Sequence, residues 1–429
     1  MIEIISAKYL VSMAAPPLFD GAMVIENGEI IDTGPESQML DRYPDALHED
    51  YANQAILPGF INAHVHLDMG LHTNYPQDPV RSMVAQPHFV EWLLGCIEYK
   101  KNTSSERLRE AVEQGIAACI ESGITCVGDM GNYGGIVQSL EQVGLRGVVF
   151  PEVLSYDSSV ARDLFETALA IVEKYLEYDS ERISVGLGPY SPYTLSRNIL
   201  RILSQYSRTS RIPLMMQVAE SFSEMEFFYD STGDIATLLF PNIGWGENLP
   251  PQFRKTPVQH LDEIGFLEAS PILVGCVHVT PQDLDRIERS KSKIIWCPRS
   301  NSYLRQGVTP IKLIRQKGIP LALATDGLSS TNTLSLWDEM RFAHQQSKEH
   351  GFGLTAQDLL EMVTIRAAEI LMLGNEIGSL VPGKKADYIV VDLVGHEKEV
   401  PLYDHLIQKT RGYHVRKVVV EGQSLKQVN

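Results

Sequence analysis

The sequence predicts an α/β fold, a (β/α)8 TIM-type barrel with a small β-sandwich domain that is built from both chain termini. Two observations predict this architecture. Eight short apolar segments, each followed by a helical pattern, fill the middle of the chain, and strand-like segments with turn residues occupy both ends. We therefore expect a composite β-sandwich domain over residues 1–57 plus 377–429 and a barrel over residues 58–376.

The terminal domain is expected because apolar residues there alternate, or run without interruption, over the length of a strand. Asn27-Gly28 separates two such segments and favours a tight hairpin turn. The strands expected in this domain are 9–13, 21–26, 29–33, 386–392 and 415–421.

The barrel is expected from eight units of a strand and a helix. Thr103-Ser-Ser-Glu106 has the spacing of a capping box and opens a helix that stops at Gly123, and Thr280 precedes a proline at the first helical position. An open doubly wound sheet is the alternative, but no G-x-G-x-x-G motif follows an early strand. The expected barrel strands are 60–66, 124–129, 146–152, 183–188, 214–219, 272–278, 293–297 and 321–326.

Composition limits the class of protein. The 429 residues carry 37 basic and 54 acidic side chains, and the formal charge of −17 repels nucleic acid and anionic membranes. The five cysteines are widely spaced without a C-x-x-C motif, which argues against a disulfide scaffold or a thiolate zinc site. The N-terminus lacks the pattern of a secretory signal, and no apolar segment reaches about 18 residues. We expect a cytoplasmic protein that binds neither nucleic acid nor membranes.

Three polar side chains are expected to meet at one end of the barrel. His64 and His66 end the first strand, and their two-residue spacing places both imidazoles on one face. Asp326 ends the eighth strand. Each of them alone has a plain structural explanation, as an unrelated histidine or a capping aspartate. Because barrel closure places strands one and eight side by side, the three together predict a metal site.

Six motifs follow one another along nearly the whole chain. They are Pro58-Gly-Phe-Ile-Asn-Ala-His-Val-His, Val218-Ala-Glu-Ser, Val277-His-Val-Thr-Pro, Cys297-Pro-Arg-Ser-Asn301, Ala324-Thr-Asp-Gly327 and Gly378-Ser-Leu-Val-Pro-Gly-Lys-Lys-Ala-Asp387. In this order they resemble the amidohydrolase superfamily, in its branch of chlorohydrolases and adenosine-type deaminases. Phe89-Val-Glu-Trp92 and Thr256-Pro-Val-Gln-His-Leu are similar to segments of aminodeoxyfutalosine deaminases, relatives of the methylthioadenosine and S-adenosylhomocysteine deaminases.

The resemblance implies a hydrolase that acts on a carbon–nitrogen bond with one divalent metal, zinc in the first place and iron or manganese as alternatives. His64, His66, a histidine on the fifth strand and Asp326 would hold the metal, whose hydroxide would attack an amidine-like carbon. Glu220 matches the acid–base residue, and Asp326 would also shuttle the hydroxide proton. Analogy with the family further implies a small-molecule substrate and a homodimer.

Three departures from the family pattern fall at the site. Gln217 stands where the fifth strand has its metal-binding histidine, and an amide offers only a weak oxygen ligand. Gly275 replaces the histidine that would polarise the attacking hydroxide, and Tyr190 replaces a histidine that contacts the substrate. Either the site has been rebuilt for another substrate and metal, or hydrolysis has been abandoned.

Further residues are assigned around the site. The expected substrate-binding residues are Tyr190, His278, Trp92 and Ser329. For His278 a structural role, and for Ser329 helix capping, are the competing explanations. His72, His88 and His260 could replace a lost ligand, or they could be ordinary surface or packing residues.

The function that these residues favour is hydrolytic deamination of an aminopurine-like or other heteroaromatic amine. A catalytically silent barrel that binds a small ligand or a partner protein is the alternative. A chlorohydrolase-type displacement at a triazine-like ring would use the same metal-bound water. His64, His66 and Asp326 also match the ligand set of non-haem iron oxygenases, which keeps iron and manganese open.

Overall fold

A computed structural model shows an α/β fold with two parallel sheets and one mixed sheet. Among the described helices, none combines the length and the apolar character that crossing a bilayer requires. The described residues are 1–70, 88–131, 133–154, 166–167, 169–170, 172–174, 180–244, 246, 249–396 and 400–428.

The bounds of the described elements follow the chain. The strands are β1 (Ile2–Leu10), β2 (Leu18–Glu26), β3 (Glu29–Pro35), β4 (Leu47–Asp50), β5 (Gln54–Pro58), β6 (Phe60–Val65), β7 (Ile124–Gly131), β8 (Arg146–Val153), β9 (Ile183–Val185), β10 (Gly188–Pro189), β11 (Met215–Val218), β12 (Ile272–Gly275), β13 (Lys293–Trp296), β14 (Leu321–Leu323), β15 (Tyr388–Asp392), β16 (Val415–Val420) and β17 (Gln423–Gln427). The α-helices are α1 (Glu36–Arg42), α2 (Phe89–Asn102), α3 (Ser105–Glu121), α4 (Ile136–Val143), α5 (Arg197–Ser210), α6 (Phe222–Asp230), α7 (Phe240–Asn242), α8 (Pro257–Glu263), α9 (Pro281–Arg289), α10 (Pro298–Tyr303), α11 (Ile311–Gln316), α12 (Leu336–His350), α13 (Ala356–Met362), α14 (Ile365–Ile370) and α15 (Leu402–Lys409).

The parallel strands stand where the sequence predicts the barrel. β6 to β10 form one sheet, β11 to β14 form another, and a bridge between Leu187 and Leu214 joins them. On the other side, Asn62 Nδ2 donates to Thr325 Oγ1 at 2.7 Å, and the Thr325 N–H donates back to Asn62 Oδ1 at 3.1 Å. These bonds tie the end of β14 to β6, although no ladder joins the two strands within the described ranges. The arrangement is consistent with a TIM-type barrel.

The sixth barrel strand is shorter than predicted. The sequence predicts a strand over 272–278, whereas β12 ends at Gly275. Gly275 and Cys276 have φ angles of +90° and +49°, left-handed values that turn the backbone out of the sheet. His278 therefore lies beyond the strand rather than on it.

Both termini contribute to one mixed sheet. β5 pairs antiparallel with β15, and this pairing joins β1–β5 to the C-terminal strands β15–β17. The composite origin of the sheet is thus as expected. The ladders describe one connected sheet of eight strands. Its division into a sandwich, like the limits of the two domains, stays a prediction.

The first strand was predicted too late in the chain. The sequence favours residues 9–13, whereas the strand is Ile2–Leu10. β1 pairs with β2 on one side and with β4 and β5 on the other. Both of its faces are covered over Ile4–Ala7, so the two-residue alternation that marks a half-buried strand is missing there. The Asn27-Gly28 hairpin turn is confirmed, with φ angles of +51° and +79°.

A buried ion pair fastens this sheet to the barrel. Nε of Arg146, at the start of β8, donates to Oδ2 of Asp387 at 2.9 Å, and Nη2 donates to Oδ1 at 3.3 Å. The backbone N–H of Glu421 donates to the same Oδ1 at 2.8 Å. The two side chains are only 1% and 2% exposed. Both oxygens of this carboxylate thus accept hydrogen bonds from the protein itself.

Candidate metal centre and active site

The three predicted metal ligands meet beyond the C-terminal ends of the parallel strands. β6 is buried along its whole length, and the rings of His64 and His66 lie with centroids 4.9 Å apart. Asp326 reaches them from beyond β14, where its φ of +63° turns the chain. Its Oδ1 lies 3.5 Å from Nε2 of His64 and 3.6 Å from Nε2 of His66.

This spacing fits a metal ion. Two ligand atoms bound tetrahedrally at about 2.1 Å from zinc lie about 3.4 Å from each other. The separations of 3.5 and 3.6 Å are close to that value. Oδ1 of Asp326 is buried and has no hydrogen-bond partner among the described residues, as expected of an oxygen atom that coordinates a cation. Two imidazole nitrogens and one carboxylate oxygen suit zinc, iron or manganese.

Two serines orient Asp326. Oγ of Ser300 and Oγ of Ser330 both donate to its Oδ2, at 2.7 and 2.6 Å, which leaves Oδ1 for the imidazoles. Burial raises the pKa of Asp326, but its contacts with His64, His66 and Ser330 outweigh burial and hold the pKa well below its usual value. Ser330 was missed in the sequence, because a serine four residues after the ligand looks like any turn residue.

The protonation and hydrogen bonding of the two imidazoles suit them to bind a metal ion. Burial, followed by the neighbouring His64, lowers the pKa of His66 to about 3, so this ring is neutral. Nδ1 of His64 lies 3.2 Å from Sδ of Met215. The tautomer protonated at Nδ1 donates to that sulfur and keeps the Nε2 lone pair for the centre.

Gln217, on β11, stands at a fourth corner of this arrangement. Its Nε2 lies 3.1 Å from Nε2 of His66 and 3.5 Å from Nε2 of His64. Its Oε1 is buried and has no partner within the part of the chain that the structure describes. A half-turn of the amide exchanges these two atoms and brings Oε1 to the imidazoles. Gln217 thus lies where it could act as a ligand, although an amide oxygen is a weak one.

Gly275 leaves room for the predicted acid–base residue. A Cβ atom at this position would lie 2.5 Å from Cγ and 2.8 Å from Oε1 of Glu220. Its φ of +90° is also a conformation that residues with a side chain avoid. The space that a histidine at position 275 would need is therefore filled by Glu220.

The carboxyl group of Glu220 favours its protonated form. Loss of solvent, followed by the charges of Asp326 and Glu224, raises its pKa well above the usual value. A carboxyl group that is protonated at neutral pH can donate a proton to a bound ring.

Glu224 holds the backbone of the acid–base residue, and it was missed in the sequence. Its carboxylate accepts the N–H of Ala219 at 2.9 Å and the N–H of Glu220 at 3.1 Å. Ala219 has a φ of +52°, so these bonds stabilise a strained turn. The Ser221-x-x-Glu224 spacing, which is that of a capping box, is the signal that could have found it.

Three of the four expected substrate-binding residues line one cavity with His66. They are Trp92, Tyr190 and Ser329. Nε1 of Trp92 donates to the carbonyl of Ser329 at 3.1 Å. The cavity measures about 20 Å³, room for one water molecule rather than a heteroaromatic ring. Binding of a ring therefore requires side chains at this wall to move.

Comparison with known proteins extends this description. The sequence model of the amidohydrolase family matches residues 55–425. The chain belongs to the amidohydrolase family. This membership confirms the resemblance seen in the sequence, and with it the predicted class, a hydrolase of carbon–nitrogen bonds.

Relatives of this amidohydrolase match over nearly its whole length. A 5-methylthioadenosine/S-adenosylhomocysteine deaminase of Thermodesulfovibrio yellowstonii is 28% identical over 435 residues, which cover 98% of this chain and 92% of the relative. A zinc-bound adenosine deaminase from Xanthomonas campestris superposes with a TM-score of 0.84 at 22% identity, covering 99% of this chain and 93% of that one. Helicobacter pylori aminofutalosine deaminase superposes with a TM-score of 0.82 at 22% identity, covering 99% of this chain and 100% of that one. The structural likenesses show the fold.

This amidohydrolase also has a buried ion pair beside the candidate metal centre, which the sequence did not reveal. Lys100 on α2 and Glu152 on β8 line the cavity beside His66 and form a salt bridge. Nζ of Lys100 also lies 3.7 Å from Oδ2 of Asp68. No spacing rule connects a helix lysine with these strand ends, because only the folded barrel brings them together.

The remaining histidines of the amidohydrolase lie in other surroundings. Nε2 of His278 lies 2.7 Å from the carbonyl of Gln306, which agrees with the structural explanation of this residue. His88 is exposed at the start of α2, and His260 lines a different cavity. His72 lies outside the described residues.

Proposed function

We propose that this amidohydrolase is a hydrolytic deaminase of a small heteroaromatic amine, of the aminopurine-like class in the first place. One observation carries the proposal: a cluster with metal-ligand spacing stands near a buried carboxyl group, that of Glu220, whose pKa is raised well above its usual value. The deaminase names of the relatives support the same chemistry.

His64, His66 and Asp326 hold the metal in this proposal, and Gln217 is a weaker fourth ligand through Oε1. Zinc is the metal we propose, because the similar adenosine deaminase binds zinc. Iron and manganese are alternatives that the same donor atoms accept. When bound, such an ion makes a water molecule acidic enough to attack near neutral pH.

Residues of the chain supply the proton transfers. Asp326 accepts a proton from the attacking water, and Glu220 donates one to the ring nitrogen next to the reacting carbon. The carbon–oxygen bond forms, the carbon–nitrogen bond to the amino group breaks, and ammonia leaves with the proton that Asp326 took from the water. The remaining hydroxyl proton returns to Glu220 as the oxo group forms. Trp92 and Tyr190 hold the ring in place. One water is consumed and one ammonia is released for each oxo product.

The variant Glu220→Gln tests this proposal. We expect ammonia release to fall by about 10²- to 10⁴-fold, the usual contribution of a general acid. Metal content, measured by elemental analysis, should stay at the wild-type level. Glu268→Gln is the control, because this exposed carboxylate pairs with Arg208 far from the centre in sequence and fold. If wild-type protein releases no ammonia from aminopurines and pterins with zinc, iron and manganese supplied in turn, deamination is refuted.

A catalytically silent barrel that binds a ligand or partner is the second candidate, and the replacements Gln217, Gly275 and Tyr190 favour it. Near-stoichiometric metal in purified protein supports the enzyme, whereas its absence supports the binder. Release of chloride from a chlorotriazine, without ammonia from any amine, would instead indicate a chlorohydrolase. The homodimer and the cytoplasmic location stay predictions.

A further inference from the structure

A second cavity lies between helices that surround the barrel. Residues of α5, α6, α8 and the loop before α8 frame it. Its volume of about 670 Å³ falls within the range of about 300–1,000 Å³ that small-molecule sites occupy. It shares no lining residue with the cavity beside His66. We call it the lateral cavity.

The wall of the lateral cavity is aromatic. Phe228 and Phe253 stack with ring centroids 5.6 Å apart, and the imidazole of His260 lies 5.2 and 4.7 Å from them. Phe227 and Phe240 pack beside this group with centroids 4.9 Å apart. Phe227, Phe228 and Phe240 are at most 2% exposed, whereas Phe253 is partly exposed and offers a face to the cavity. A flat ring can stack on that face.

His260 places a polar group in that wall. Its side chain is part of a residue only 5% exposed, and neither ring nitrogen has a hydrogen-bond partner among the described residues. Burial, followed by the charge of Arg197, lowers its pKa to about 4, so the ring is neutral with one donor and one acceptor. Since His260 lines the lateral cavity, its ring nitrogens can bond a polar atom of a ligand there.

The mouth of the lateral cavity is basic. Arg197 and Arg201, on the first turns of α5, line it, and within the described chain neither pairs with an acid. Ser196 caps this 14-residue helix, whose positive end therefore also faces the cavity. By contrast, Lys255 and Arg254 nearby are paired with Glu263 and Asp230. Arg197 and Arg201 are both exposed, so they are available to an anion at the mouth of the lateral cavity.

We propose that the lateral cavity binds a planar aromatic ligand that carries a phosphate or a carboxylate. The ring lies against Phe253 and His260, and the anionic group lies on Arg197 and Arg201. The cavity is a binding site separate from the metal centre, and it does not depend on the deaminase proposal.

Calorimetric titration with adenosine monophosphate, 1-naphthoate and adenosine tests this proposal. We expect at least one of the two anions to bind, and adenosine, which has no anionic group, to bind at least tenfold more weakly than adenosine monophosphate. Binding of the nucleotide alone identifies phosphate as the preferred group, and binding of naphthoate alone identifies carboxylate. If neither anion binds, the proposal is overturned.

Substitutions in the lateral cavity test whether the anion binds there. The double variant Arg197→Met, Arg201→Met should weaken the anion at least tenfold and leave ammonia release unchanged. His260→Phe keeps the ring wall but loses its nitrogens, and should weaken binding several-fold at unchanged melting temperature. Arg208→Met is the matched control, on the same helix but paired with Glu268 outside the lateral cavity. Equal affinities of the double variant and the control would overturn the proposal.

Discussion

Two sets of buried polar groups, one at each end of the barrel, differ in whether their atoms are all bonded. At the N-terminal end, Arg146 pairs with Asp387, the Glu421 N–H completes the carboxylate, and the pair connects the barrel to the terminal sheet. At the C-terminal end, buried oxygens of Asp326 and Gln217 have no partner among the described residues. An ion pair whose atoms are all hydrogen-bonded, the closed end, helps to hold elements of the fold together. A set of buried atoms without partners, the open end, is suited to bind a metal ion or ligand. The comparison separates residues that serve stability from residues that serve binding.

The largest expected effect on stability is at the closed end. Arg146→Met leaves the carboxylate of Asp387 buried without its cation, which we expect to lower the free energy of unfolding by about 3–5 kcal/mol. Urea unfolding followed by circular dichroism measures this loss. Activity per folded molecule should not change, because Arg146 lies at the opposite end of the barrel from the metal centre.

The double variant Arg146→Met, Asp387→Leu is its control. Removing both charges replaces the ion pair by apolar packing, which is often close to neutral. Recovery of most of the lost stability is therefore expected. If the double variant is as unstable as the single one, the packing of the arginine side chain, rather than the unpaired charge, accounts for the loss.

A smaller effect is expected at the open end from Gly275→Ala. The new Cβ collides with Glu220, so we expect a loss of about 1–3 kcal/mol together with lower turnover. Gly318→Ala is the matched control, because Gly318 also has a left-handed φ, of +65°, but nothing within 4 Å of an added Cβ. The difference between the two variants in urea unfolding measures the collision alone. Equal losses would show that Glu220 moves aside at no cost.

A further expected effect is a change in pH dependence. Burial raises the pKa of Glu224 to about 8 from an ordinary value of 4.5, so the folded state keeps a proton that the unfolded state loses. This contribution to stability is fully present below pH 4.5 and is lost as the pH rises towards 8, at up to about 1.4 kcal/mol per pH unit. Stability of Glu224→Gln should therefore fall less between pH 6 and pH 8.

Wild-type protein and the variant are compared by urea unfolding at both pH values. Asp129, whose pKa burial also raises to about 8, is present in both proteins, so the difference reports Glu224 together with its effect on the neighbouring Glu220. Identical slopes would mean that Glu224 is ionised in the folded state.

The sequence predicts the parts of the site that depend on strand geometry. His64, His66 and Asp326 follow from a two-residue spacing and from the neighbourhood of the first and last strands. The hydrogen-bond partners of these residues depend on backbone turns, and the spacing of residues along the sequence does not reveal such turns. The left-handed residues Gly275 and Cys276 shorten β12, remove His278 from the strand and make room for Glu220. Local geometry of this kind appears only once the chain is folded.

The terminal sheet shows a second limit of the sequence. The Asn27-Gly28 turn is recognisable because two residues determine it. The sequence does not predict β4, β5 and β17. These strands are short, and they form only because distant parts of the chain pair with them. Which segments join across the two termini is a property of the whole fold, and pairing of β5 with β15 could not be derived from either segment alone.

That pairing has a consequence for biosynthesis. The last residue of β5 leaves the ribosome about 330 residues before the first residue of β15, from Pro58 to Tyr388. At a translation rate of about 5–20 residues per second, the hydrogen-bonding edge of β5 waits roughly 16 to 66 seconds for its partner. Unpaired edges of this kind invite association between nascent chains. Yield in a recombinant host should thus respond more to translation speed and chaperone supply than to the stability of the finished enzyme.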